Sequence, residues 1–116
     1  MIKTGIDIIE VKRIRKIILS TPRFLKKVYT SEEVEYCNAR KNKWQHFAVR
    51  FAAKEAVWKA LGKKDIWHRD ITVKNAADGR PAILLCNKYK ILEKRISVSL
   101  SHTQDYAAAV AIYNSR

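Results

Sequence analysis

The chain has 116 residues, 47% of them hydrophobic, which suits one compact domain over residues 1–116 with a small core. Its longest apolar run, residues 106–113, is far too short to cross a bilayer; the N-terminus lacks a signal peptide's basic-then-apolar order, and Cys37 and Cys86 have no zinc-ligand spacing. A soluble, cytoplasmic protein is therefore expected, with both cysteines reduced and packed in the core, and its net charge of +13, from 24 Lys and Arg against 11 Asp and Glu, points to a polyanionic partner.

Residues 1–6 are apolar enough for a strand, with Gly5 allowing close backbone approach just before Asp7, which is placed at the strand's end. Over residues 8–19, Val11, Ile14 and Ile18 repeat at helical spacing, while Lys12, Arg13 and Lys16 occupy the opposite side. One face packs and the other is basic. Pro22 ends this helix or caps the next turn. The charge is uneven along the chain: residues 1–64 hold 16 basic and 6 acidic side chains, or +10 of the total.

Thr30-Ser31-Glu32-Glu33 has the form of a capping box and opens a helix to about residue 39. A longer helix is predicted over residues 44–61, with Gly62 as its stop. The period then changes from 3.6 to 2. Ile71 and Val73 alternate with Thr72 and Lys74, and Ile96, Val98 and Leu100 alternate with three serines. Asp78-Gly79-Arg80-Pro81 is a turn before a strand over residues 82–85; residues 87–93 form a helical turn or two; and residues 103–105 link the strands at 96–101 and 106–113. Strands joined by such short links must be antiparallel, so the expected fold is α+β, a small antiparallel sheet with the long helix and shorter helices on one side.

On the long helix, Glu55 borders a stripe formed by Trp44, Phe47, Phe51 and Trp58, while Arg50 and Lys54 lie on the other flank. An i,i+4 pair between Glu55 and Lys59 is one explanation, worth only about 0.2–0.5 kcal/mol. A carboxylate beside aromatic rings is also partly desolvated and calls for a cation, a donor or a metal. If Asp7 met Glu55, their repulsion would favour a hard divalent ion between them. Mg²⁺ takes one or two protein carboxylates together with phosphate oxygens and water.

Four segments then carry a resemblance that spans nearly the whole chain. "GIDIIEVKRI" at 5–14, "RFAAKEAVWKALG" at 50–62, "DGRP" at 78–81 and "VSLSHTQDYAAAVA" at 98–111 together resemble the holo-acyl-carrier-protein synthases, a family of 4'-phosphopantetheinyl transferases. The resemblance implies transfer of the phosphopantetheine arm of coenzyme A to a serine of an acidic apo acyl carrier protein, with release of adenosine 3',5'-bisphosphate. It implies that Asp7 and Glu55 hold Mg²⁺ and that Lys59 lies near the departing phosphate. Glu55, directly or through a metal-bound water, is the candidate base, with a water or Asp7 as alternatives. Arg50 and Lys54 match positions expected at the coenzyme A phosphates, and His102 one near the cofactor. Gly79, Arg80 and Pro81 are expected along the adenine side, supplied by a neighbouring subunit of a homotrimer. Arg13, with Lys12, Lys16 and Arg23, is expected to dock the carrier protein.

The stretch Lys63-Lys64-Asp65-Ile66-Trp67 departs from the glycine-rich loop common in this family, which leaves a narrower pantetheine channel, or Trp67 as a replacement wall. The rival reading is a non-catalytic nucleic-acid-binding module that uses the positive charge and stacks bases on Trp44, Phe47 and Phe51.

Overall fold

The computed structural model describes residues 1–116. Strand β1 (Ile2–Glu10) leads straight into α1 (Val11–Ser20), then α2 (Phe24–Val28), α3 (Ser31–Asn38) and the 19-residue α4 (Lys43–Leu61). A 3-10 turn (His68–Asp70), strands β2 (Ile71–Asn75) and β3 (Pro81–Leu85), a 3-10 segment (Asn87–Arg95), β4 (Ile96–His102) and β5 (Tyr106–Asn114) follow. No helix is long and apolar enough to cross a membrane. The chain is α+β as expected, but its strands form two antiparallel sheets: β1-β5-β4, and β2-β3 by itself. The Asn87–Arg95 segment intervenes between β3 and β4, and no ladder joins them.

The Thr30 capping box forms, with Glu33 Oε1 accepting the Thr30 N–H at 2.9 Å, and α4 stops at Gly62, whose φ of +65° is the left-handed conformation that glycine adopts without penalty. Strand β1 runs four residues further than its composition suggested. Its pairing with β5 continues from Ile2 opposite Asn114 to Glu10 opposite Tyr106, so Asp7 lies within the strand and not at its end.

The helix α4 passes through the centre of the molecule. Its alanines Ala52, Ala56 and Ala60 pack with Ala109 and Ala111 of β5 in one core, bounded on the other side by Ile71, Val73, Ile83 and Leu85 of the small sheet. Val11, Ile14, Val28, Tyr29, Cys37 and Phe47 form a second core with the helices. Being covered on several sides, α4 leaves only Trp58 and Lys59 exposed: Arg50 and Lys54, which flank the aromatic stripe, are buried, and Trp58 of the stripe is not.

Small side chains let α4 approach the sheet closely, and Gly5 marks the tightest point. A Cβ there would lie 1.9 Å from the Ala56 carbonyl oxygen. Gly5→Ala is expected to force β1 off the helix at a cost of at least about 1–3 kcal/mol, read as a lower urea midpoint.

Cys37 is buried, whereas Cys86 is exposed, against the expectation that both pack in the core. Burial pushes the Cys37 thiol up from 9.0 to about 12. Between those values the unfolded chain has lost the proton that the folded one keeps, so stability falls as pH rises. The buried Tyr29 hydroxyl, also raised by desolvation, acts in the same sense, and Lys54, lowered by desolvation, opposes it. The expected result is a urea midpoint that declines above about pH 9, with a shallower decline in Cys37→Ala.

Candidate active site

The crossing at Gly5 positions the acidic pair. Side chains alternate along a strand, so Asp7 points to the same face as Gly5, towards α4, where Glu55 and Lys59 stand on either side of Ala56 in sequence. Lys59 Nζ donates to the Ile6 carbonyl at 2.9 Å and lies 3.5 Å from Asp7 Oδ1. Burial raises the Asp7 carboxyl above its ordinary value; Lys59 pulls it back, and the negative charge of Glu55 pushes it up again. The two carboxylates predicted to meet are therefore within electrostatic reach, with one lysine at their edge.

These groups fit a hard divalent cation. Both are oxygen donors, their mutual repulsion is relieved by positive charge, and no third His, Cys, Asp or Glu completes a protein-only cage. That leaves room for water and phosphate oxygens. Asp7 and Glu55 would hold the ion.

A histidine adjoins this pair that the sequence analysis did not single out. His68 Nε2 lies 2.6 Å from Glu55 Oε2, and its ring stacks on Phe51 at 5.4 Å between centroids and 8° between planes. Nothing local in the sequence announces it, because residue 68 reaches Glu55 only after the chain has turned back beyond Gly62.

Lys54 is corrected more sharply. It is fully buried, with Nζ 2.7 Å from Glu33 Oε1, and it donates to the His68 carbonyl at 2.9 Å and to the Ile71 carbonyl. Glu33 Oε2 accepts the Val73 N–H at 2.8 Å. A lysine without solvent access, its ammonium already bonded to three oxygens, cannot also serve a coenzyme A phosphate. Its work is to tie α3, α4 and the start of β2 together.

Arg50, Gly79, Arg80, Pro81 and His102 do come together, in the lining of a cleft of about 770 Å³. Arg50 is 3% exposed; its guanidinium lies 4.2 Å over the Tyr36 ring and reaches Asn75 Oδ1 at only 3.5 Å, while its Nε has no partner. An under-satisfied buried cation of this kind is a ready acceptor for an anion. His46 and His102, 5.9 Å apart, add to the lining, and burial holds the His46 imidazole below its ordinary value, with the Arg50 charge next in effect.

Asp7, Glu55 and Lys59 do not line this cleft. Arg50 and Glu55 are five residues apart on α4 and therefore about 140° apart round its axis. One chain presents the acidic pair and the basic cleft on different sides.

Lys12, Arg13, Lys16 and Arg23 are all exposed, the first three on the outer face of α1. Phe47 is 2% exposed, and Phe51 packs on Phe24 and His68, so the stripe is built into the core and does not form an open stacking platform. In the departing loop, Trp67 is 71% exposed and walls nothing within the chain. Asp65 bonds to the Tyr89 hydroxyl and to Lys88 Nζ, contacts that hold its carboxyl down at about 2.

A carboxylate pair with a lysine at its edge and, on another side, a cleft holding the buried Arg50 are groups suited to phosphate oxygens in an α+β chain. The model of the 4'-phosphopantetheinyl transferase superfamily matches residues 3–111, and the chain belongs to that family. It is 45% identical to the holo-[acyl-carrier-protein] synthase of Moorella thermoacetica, over 99% of this chain and 95% of that one. With the synthase of Caldanaerobacter subterraneus subsp. tengcongensis it shares 41% identity over 93% and 91% of the two chains. Among solved structures, the Neisseria meningitidis synthase superposes with a TM-score of 0.86 at 30% identity, covering 99% of this chain and 100% of that one. The Bacillus anthracis synthase in complex with CoA (3',5'-ADP) gives 0.81 at 30% identity, covering 98% and 96%.

Proposed function

We propose that the protein transfers 4'-phosphopantetheine from coenzyme A to a serine of apo acyl carrier protein in a Mg²⁺-dependent reaction in the cytoplasm, supplying holo carrier protein for acyl-chain synthesis. The observation that carries this reading is the Gly5 crossing, where Asp7, with Lys59 Nζ 3.5 Å from it, faces the stretch of α4 that bears Glu55. Relatives named holo-[acyl-carrier-protein] synthase, over nearly the same length, support it.

In this mechanism the serine hydroxyl oxygen attacks the β-phosphorus of the coenzyme A diphosphate. The new P–O bond forms as the bond to adenosine 3',5'-bisphosphate breaks. Held between Asp7 and Glu55, Mg²⁺ would neutralise charge on the diphosphate oxygens. Lys59 is 47% exposed, and with one N–H given to the Ile6 carbonyl and a longer contact to Asp7 its ammonium keeps a donor for the leaving phosphate as negative charge grows there. Glu55 accepts the serine proton through a water.

Arg50 and His102, with the Gly79-Arg80-Pro81 turn, bind the adenosine bisphosphate end. Because cleft and acidic pair face different ways in one chain, a site composed from neighbouring copies brings them to one ligand, as in a homotrimer. The outer face of the large sheet supports such assembly: Ile6 and Ile8 of β1 are 68% and 67% exposed and Ile112 of β5 is 43% exposed. The exposed basic face of α1 meets the acidic carrier protein and chiefly speeds encounter.

The test is the intact mass of apo carrier protein incubated with the protein, Mg²⁺ and coenzyme A. Gain of one phosphopantetheine, abolished by chelator, is expected; an unchanged mass at every Mg²⁺ and coenzyme A concentration overturns the reading.

A further inference from the structure

We propose that His68 is a positioning residue for Glu55: it donates a hydrogen bond to one carboxylate oxygen and so presents the other to the divalent cation. The inference rests on the reading of Glu55 as a metal ligand.

The geometry assigns the roles. At 2.6 Å from a carboxylate oxygen, Nε2 must carry the proton. Oε2 is thereby committed, and Oε1 makes no hydrogen bond within the chain, leaving it for a ligand. Each side chain is about 30% exposed, so the bond is shielded enough to hold yet open to the site.

His68 is itself held, at its ring and through its backbone. Its face lies on Phe51, nearly parallel. Its carbonyl accepts from Lys54, which is locked by Glu33. Its 3-10 turn is capped by Asp70 Oδ2, which accepts the Trp67 N–H at 3.0 Å. A fixed donor fixes the carboxylate.

A free glutamate on a helix surface gives up rotamer freedom when it is immobilised. His68 imposes most of that order before the cation arrives, and it orients a carboxylate that would otherwise swing towards Lys59 or solvent. Outer partners of this kind, when removed, typically weaken a metal site about 10–100-fold.

Binding of Mn²⁺ alone, followed by loss of the free-ion electron paramagnetic resonance signal, gives a readout separate from turnover. His68→Phe keeps the stack on Phe51 and removes the donor, whereas His68→Gln restores an N–H donor. The expected result is an Mn²⁺ Kd about tenfold weaker in His68→Phe, with most of that loss recovered in His68→Gln. The Mg²⁺ concentration giving half-maximal transfer should rise in parallel, with a smaller effect on the KM for coenzyme A. A merely structural histidine would lower the thermal midpoint without this split.

An Mn²⁺ affinity in His68→Phe equal to or tighter than that of the wild type overturns the inference while leaving the transferase reading in place. Failure of the wild type to bind Mn²⁺ at all overturns the metal reading and the inference with it. Should His68→Phe not fold, comparison of His68→Leu with His68→Gln decides the same question.

Discussion

Glu55→Gln should leave the fold intact and lower transfer to apo carrier protein by about 10²–10³-fold, the several kcal/mol that a positioned metal and its carboxylate supply to a phosphoryl transition state. The substitution conserves shape and retains an oxygen that can accept from His68 Nε2. What it removes is the negative charge opposite Asp7. The decisive measurements are single-turnover rates from intact mass at saturating Mg²⁺, together with the thermal midpoint. A thermal midpoint at or above that of the wild type is expected, because the burdened Asp7 carboxyl loses a repulsive neighbour. A variant with the wild-type rate would remove Glu55 from the chemistry, and with it the argument from the acidic pair.

Glu33→Ala should destabilise the protein by about 3–5 kcal/mol, enough to consume much of the stability of a small domain. The side chain is 1% exposed and accepts from four donors: the Thr30 N–H at 2.9 Å, the Thr30 hydroxyl at 3.3 Å, the Val73 N–H at 2.8 Å and Lys54 Nζ at 2.7 Å. Without it, an ammonium with no exposure stands among apolar side chains with only two carbonyl oxygens left, those of His68 and Ile71. The contrast with a double variant tests the cause. Glu33→Gln with Lys54→Met removes both charges and keeps an acceptor, so most of the stability should return, since the cost lies in the orphaned charge. Urea midpoints of the single and double variants give the coupling directly. A folded double variant should also keep the wild-type KM for coenzyme A, because Lys54 never reaches the cleft. A large rise in that KM, or a Glu33→Ala loss below about 1 kcal/mol, would return Lys54 to the phosphates.

The contacts of Glu33 combine local and distant information. Thr30 and Glu33 formed the capping box that their spacing announced, because an N-cap and its N3 partner lie within one helical turn. The same glutamate's second oxygen bonds to Val73, 40 residues on, and its charge meets Lys54. Neither partner is visible in a window of a few residues.

The amino-acid order alone determined most of the elements, though neither α2 nor the run of β1 to Glu10, and with them the stop of α4 at Gly62, the antiparallel hairpins, the basic outer face of α1 and the motifs that join Asp7, Glu55 and Lys59 in one family pattern. Each of these depends on near neighbours or on residues quoted in place. Only the tertiary structure decided that the strands divide into two sheets, that Lys54 is an internal strut, that Arg50 faces a cleft turned away from Glu55, and that His68 grips that carboxylate. Periodicity tells which side of a helix is apolar, but whether its charged side meets water depends on what packs there. Here α3 and β2 cover α4, and burial turned its lysine from a surface charge into a paired one.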